Sequence, residues 1–179
     1  MPALRLPTIP PVDLRAHLET IIFQTSMMHY PASQAMALML ASGCRYNETE
    51  YFYRWQLSED ESEVSYLARK NDTWRSFPAQ DLPPEFIEAL KLGMTPIAPV
   101  SYSTVQRLFG YHLYPYQLIQ ANKALELHSF RHLKARELWA SGHRIEDIMA
   151  YLGINSPSVA EGYTFKPIYL KNLRTAAAS

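Results

Sequence analysis

The chain has 179 residues, 47% of them hydrophobic, and its 17 Lys/Arg balance 17 Asp/Glu to a formal net charge of zero. That length can bury a real core in one domain, that composition excludes a disordered chain, and neutrality gives no general pull toward nucleic acid or membrane. The single cysteine, Cys44, excludes an intramolecular disulfide and a Cys-based zinc site and fits a reducing cytoplasm, and no apolar run reaches the roughly 18–20 residues of a membrane span.

The opening MPALRLPTIPP holds four of the 13 prolines and lacks the continuous apolar segment of a signal peptide. It reads as an extended arm, residues 1–12. VDLRAHLETIIFQTSMMHY then carries Leu14, Leu18, Ile21 and Ile22 at helical spacing. Pro31 opens a second helix, PASQAMALMLASG, apolar at Ala35, Leu38 and Met39, with Gly43 as its stop. EYFYRWQLS, EVSYLAR and WRSFP are rich in aromatic and β-branched residues and read as strands. Joined by the polar turns SEDES and KNDT, they predict a three-stranded antiparallel sheet. The acidic stretch SEDESE (58–63) reads as a solvated turn.

LPPEFIEALKLG reads as a helix, with prolines at its start and Gly93 at its close, and TPIAPVS as a linker. STVQRLFGYHLYPYQLIQANKAL is expected to be helical in two pieces, interrupted near Gly110 and Pro115. The last third reads as all-helical. LHSFRHLKARELWASG is followed by HRIEDIMAYLG, with Ile145, Ile148, Met149 and Leu152 on one face, and by PSVAEGY, started at Ser156-Pro157. From His128 onward seven Lys/Arg stand against four acids, a weak pointer to an anionic partner. The predicted fold class is α+β, mainly α-helical.

HSFRH (128–132) sets two histidines around an arginine. His128 and His132 have the i, i+4 spacing of metal ligands, yet Arg131 lies between them and no acid follows the first histidine. A fixed cation beside a dication is unfavourable, so no metal is expected. Two readings remain. His128, Arg131, His132 and Ala135 share a helix face and form an ordinary polar surface strip; or they are half of a phosphate clamp, with arginine as a planar fork of donors and histidine able to move a proton.

Other segments resemble the tyrosine recombinase and phage integrase family. SGCRYNE (42–48) is similar to that family's TGLRxxE segment, at a helix end just before a β-sheet. HSFRH matches its His-x-x-Arg box, and RELWASGHRIEDIMAYLG matches its following helix pair without a gap. Lys70, in KNDTWRSFP, is similar to its β-hairpin lysine, and Tyr163 falls where the family keeps its nucleophile. The resemblance runs over roughly residues 30–165. It implies an integrase-like catalytic domain over 13–165 and a tail, 166–179, that packs on its own core or passes to a neighbouring protomer.

The resemblance also implies roles. Arg45 and Arg131 would bind the scissile phosphate, with Glu48 supporting the site. Tyr163 would attack the phosphorus to form a 3′-phosphotyrosyl link, Lys70 would protonate the leaving 5′ oxygen, and His128 would assist proton transfer. His132 would pack or support. No cofactor is required, because the link conserves the bond energy. The implied partner is double-stranded DNA held by a dimer or tetramer, with an accessory protein as a further partner and a prokaryotic, phage or mobile-element origin.

Three features depart from the pattern. Ile154 stands where the family has His or Trp, and isoleucine donates no hydrogen bond. Only about 30 residues precede the second helix, where most members carry a DNA-clamping domain. A neutral chain also has few charges to spare for phosphate contacts, so weak DNA binding, or dependence on a partner or on self-assembly, is expected. Two alternatives therefore stay open: a recombinase-like protein that binds DNA without cutting it, and a helix-turn-helix regulator built from ASGHRIEDIMAYLGINSPSVAEGY.

Overall fold

The computed structural model describes residues 11–68, 70, 72–113, 116–121 and 123–172. The segment read as an arm lies outside them up to Pro10, and α1 (Pro11–Ser26) starts at Pro11. Leu14, Leu18 and Ile21 of α1 pack on Ala35, Leu38 and Met39 of α2 (Tyr30–Ser42) within the main core. The imidazole of His29 caps α2 by accepting from the Ala32 N–H at 3.2 Å, and Gly43 ends it in the left-handed region at φ 68°.

The expected antiparallel sheet is present, in the order β1 (Gln56–Leu57), β2 (Glu63–Ala68), β3 (Thr73–Pro78). Its register sets Val64 opposite Phe77 and Tyr66 opposite Arg75. The first strand is shorter than the sequence suggests. Residues 50–55 lie in turns and a 3₁₀ turn at Phe52–Arg54, after the one-turn helix α3 (Tyr46–Thr49). Phe52 and Trp55 fill the core instead of a pleat, while Tyr53 is exposed: Trp55 stacks on Tyr66 at 4.5 Å, and its indole N–H donates to the Glu48 carbonyl at 3.2 Å.

A 3₁₀ turn (Ala79–Asp81) leads into α4 (Pro84–Lys91), which starts and stops close to where its prolines and Gly93 predict. Helix α5 (Tyr102–Leu113) runs through Gly110 without a break, and Pro115 lies outside the described residues. The second expected helical piece is instead a strand, β4 (Tyr116–Gln120). It is the centre of a second antiparallel sheet, flanked by β5 (Lys123–Ala124) and β6 (Tyr169–Asn172). In the single chain β6 pairs with β4 as far as Asn172, and Ile168 before it is fully buried.

After a 3₁₀ turn (Glu126–His128), α6 (Ser129–Ala140) packs against α1, α2, α7 (Ile145–Leu152) and α8 (Pro157–Phe165). Polar ties fix it where apolar packing alone would leave its rotation free. Arg15 of α1 forks onto the Glu137 carboxylate. Lys134 and the Tyr151 hydroxyl both donate to Asp81, at 2.9 and 2.6 Å, joining α6, α7 and the end of the first sheet. A small second core of Ala135, Leu138, Ile148, Leu152, Ile154 and Ala160 welds α6, α7 and α8. No helix among the described residues is long and apolar enough to cross a membrane.

Candidate active site

Arg131 is not on a surface strip. It is 2% exposed, and it is the largest fully buried side chain. Its neighbours on that face, His132 and Ala135, are buried as well. What stabilises a buried guanidinium here is peptide backbone. One terminal nitrogen donates to the Gly43 carbonyl at 2.9 Å and the other to the Leu152 carbonyl. These carbonyls lie at the ends of α2 and α7, where a helix has acceptors with no partner of its own. Three elements therefore converge on one side chain.

Arg45 enters from the segment between α2 and α3. Glu48, 1% exposed, receives the Arg45 backbone N–H at 2.6 Å, and its other oxygen lies 3.4 Å from the Arg45 guanidinium. The carboxylate thereby fixes both the backbone and the side chain of Arg45. Arg45, Arg131 and His128 line one cavity of about 240 Å³. Lys70, exposed in the β2–β3 turn, is close enough for its charge to act on His128.

Tyr163 comes from the last third of α8, and its hydroxyl lies 2.5 Å from His128 Nε2. Its ring sits between three groups: His128 at 5.3 Å, His132 edge-on at 4.6 Å, and the Arg131 guanidinium at 5.8 Å. The end of α8 is anchored from outside. Gln120 of β4 donates to the Gly162 and Lys166 carbonyls at 3.1 and 2.8 Å, and Arg136 donates to Lys166 as well. Ile154 takes no part in this cluster. It is 7% exposed in the small core beneath Tyr163 and presents no donor. Among the described residues no three His, Cys, Asp or Glu side chains gather as metal ligands.

Both histidines are held neutral. His128 is exposed at one side, yet partial desolvation, then the charges of Arg131, Arg45 and Lys70, lower it from the ordinary histidine value. Burial, then His128 and Arg136, push His132 down to about 3. An unfolded chain takes up these protons near the ordinary histidine value of about 6.5. Below that pH the unfolded state binds more protons than the folded one, so this stability is complete above about 6.5 and drains away as pH falls toward the folded values. We expect the melting temperature to fall between about pH 6.5 and pH 4, and to fall less steeply in His132→Phe, which keeps a ring against Tyr163 but cannot titrate.

The structure thus brings together Arg45, Glu48, His128, Arg131, His132 and Tyr163, sets Lys70 at the edge, and leaves Ile154 behind the site. Sequence reasoning missed the other lining residues, Asn47 and Tyr102 among them. Asn47 has no motif to give it away, but Tyr102 opens α5 directly after a proline-containing linker, where an exposed aromatic is a usable signal.

This fold is shared with site-specific recombinases. The chain is similar to the XerH site-specific recombinase bound to its palindromic difH substrate in a post-cleavage complex, with TM-score 0.56 and 16% identity, covering 89% of this chain and 50% of that one. The pre-cleavage complex of XerH on difH gives TM-score 0.57 and 16% identity over 100% of this chain and 56% of that one. The XerA recombinase gives 0.54 and 18% over 92% and 60%. The chain therefore spans between half and three-fifths of these proteins. No protein-family profile matches the sequence, and no curated protein matches it.

Proposed function

We propose that this chain is a site-specific DNA recombinase that cuts and rejoins strands through a 3′-phosphotyrosyl intermediate. One observation carries the reading: the Tyr163 hydroxyl meets a neutral histidine at 2.5 Å, beside a cavity lined by two arginines. The similarity in fold to recombinases, one of them bound to its DNA substrate, supports it.

In this reading the non-bridging oxygens of a phosphodiester sit on Arg45 and Arg131. Donors of this kind each contribute roughly 2.7–4 kcal/mol to a transition state that gains charge there. The Tyr163 oxygen forms a bond to phosphorus and passes its proton to His128 Nε2, which is free to accept at neutral pH. The bond to the 5′ oxygen breaks, and Lys70 supplies that oxygen's proton. Attack by a second strand's 5′ hydroxyl reverses each transfer. The partner is double-stranded DNA, engaged as a dimer or tetramer and with an accessory protein to supply grip that a neutral chain lacks. A second reading, DNA binding without cleavage, is favoured by Ile154 alone. A helix-turn-helix regulator leaves the Arg45–His128–Arg131 cluster without a use.

Wild-type protein and Tyr163→Phe are to be mixed with end-labelled, nicked duplexes taken from DNA flanking the protein's own gene. An SDS-resistant adduct that peptide mass maps to Tyr163, and that Tyr163→Phe loses completely while still binding the duplex, is the expected result. Binding without adduct in both proteins would replace the enzyme reading with the non-cutting one.

A further inference from the structure

The cavity between the two arginines is larger and less uniform than a phosphate needs. Arg45, Arg131 and His128 form its cationic side; Tyr46, Asn47 and Tyr102 form the other. Tyr102 is half exposed, 50%, at the first position of α5. A large exposed aromatic at a helix start would ordinarily wander among rotamers, but this one is held. Its ring packs edge-on against Tyr46 at 5.3 Å and 64°. Tyr46 is itself buried at 7%, and its hydroxyl donates to the Val100 carbonyl. Tyr102 is therefore braced by a residue that is braced by backbone, and both line the cavity that the cations line.

We propose that Tyr102 is a stacking residue for the nucleobase that adjoins the phosphate held by Arg45 and Arg131, so that the cavity takes a nucleotide, base and phosphate together. The chemistry fits each part. The arginines and a neutral histidine suit a phosphate, the phenol ring offers a π face that any base can cover, and the Asn47 amide offers both a donor and an acceptor to a base edge. Pre-bracing matters because the ordering cost of the aromatic is met by folding, not by binding. The proposal rests on the reading of the arginine site as a phosphodiester site, and extends it from the backbone of the strand to the base.

The test uses the full chain and a fluorescent probe, 2-aminopurine deoxyribonucleoside 3′-monophosphate, with inorganic phosphate as competitor. Stacking quenches 2-aminopurine, so wild-type protein should quench it on binding, and phosphate alone should compete only at far higher concentration. Tyr102→Phe should behave as wild type. Tyr102→Leu, compared at a temperature where its own thermal melt shows it folded, should lose the quench and weaken binding roughly tenfold, the scale of one lost base–aromatic stack. Equal quenching and affinity in Tyr102→Leu, or no binding of the probe by wild type, overturns the proposal. The two readings fail separately. A Tyr163 adduct on DNA with a Tyr102→Leu variant that binds the probe normally sinks the stacking residue and spares the recombinase. Tyr102-dependent quenching with no adduct on any bound duplex sinks the enzyme and spares the nucleotide subsite.

Discussion

Arg131→Ala is expected to lower the unfolding free energy by about 3–5 kcal/mol, read as a lower urea midpoint, before any effect on chemistry is counted. The reason lies in what the side chain leaves behind. The Gly43 and Leu152 carbonyls would both lose their donor inside the protein, and each stranded acceptor costs about 1–3 kcal/mol. Truncation also empties the volume of the largest fully buried side chain. Arg131→Met separates these terms, since it refills most of the volume and restores no donor, so it should recover only part of the loss. Arg131→Lys keeps the charge but ends in one compact ammonium, and it cannot span two carbonyls on different helices as a fork does. In all three variants we expect the Tyr163 adduct to vanish even where the protein is folded, because the charge developing on the non-bridging oxygens loses the guanidinium fork. A variant of normal stability would show that the guanidinium is not what joins α2 to α7.

Gly43→Val is expected to cost about 3–5 kcal/mol, by the same measurement. Two penalties add. At φ 68° a residue with a Cβ is strained by about 1–2 kcal/mol, more for a branched one. The Cβ would also lie 2.7 Å from Leu152 Cδ2 and 3.0 Å from Lys134 Cβ and Cγ. Those atoms belong to packed parts of α7 and α6, so relief has to move helices, and overpacking of this kind costs about 1–3 kcal/mol. Gly153 makes the contrast. It has a similar φ, 67°, and a Cβ there would meet Arg75 Nε at 2.1 Å. That obstacle is the far end of a long side chain, which can swing away. Gly153→Ala should therefore cost little beyond the backbone strain, about 1–2 kcal/mol.

Much of this arrangement was legible in the sequence, and the gaps have physical causes. Gly43, the Pro84 start of α4 and the spacing of Ile145, Ile148 and Leu152 mark helix ends and faces locally, and those elements form as expected. The stretch YQLIQ is different. It is short enough to be a helix fragment or a strand, and what decides is pairing with Tyr169–Asn172, far along the chain, which no window on the sequence contains. Phe52 and Trp55 raise strand propensity, but that propensity measures fit to a half-buried surface, and here the core takes both rings without a strand.

The site divides along the same line. The grouping of Arg45, His128, Arg131 and Tyr163 was reachable only by resemblance to a family whose order of residues it follows. The burial of Arg131 and His132 beside an exposed His128 was not reachable at all. Three polar residues on one face look solvated, and the carbonyls that accept from Arg131 are backbone atoms with no signature in the sequence. Ile154 reads as a defect in the pattern, whereas in the fold it is an ordinary member of a small core.

The way Arg131 is held has one more consequence. Arg45 already has a counter-ion in Glu48, so an incoming anion must share that guanidinium with a carboxylate. Among the described residues no carboxylate pairs with Arg131. It is balanced by peptide dipoles at two helix ends, which carry only fractional negative charge. Its field is thus weakened but not cancelled, and it points a net positive charge into a neutral molecule. An arriving anion has no carboxylate to displace there, and because Arg131 is buried its attraction for that anion should be screened by salt much less than that of a surface arginine.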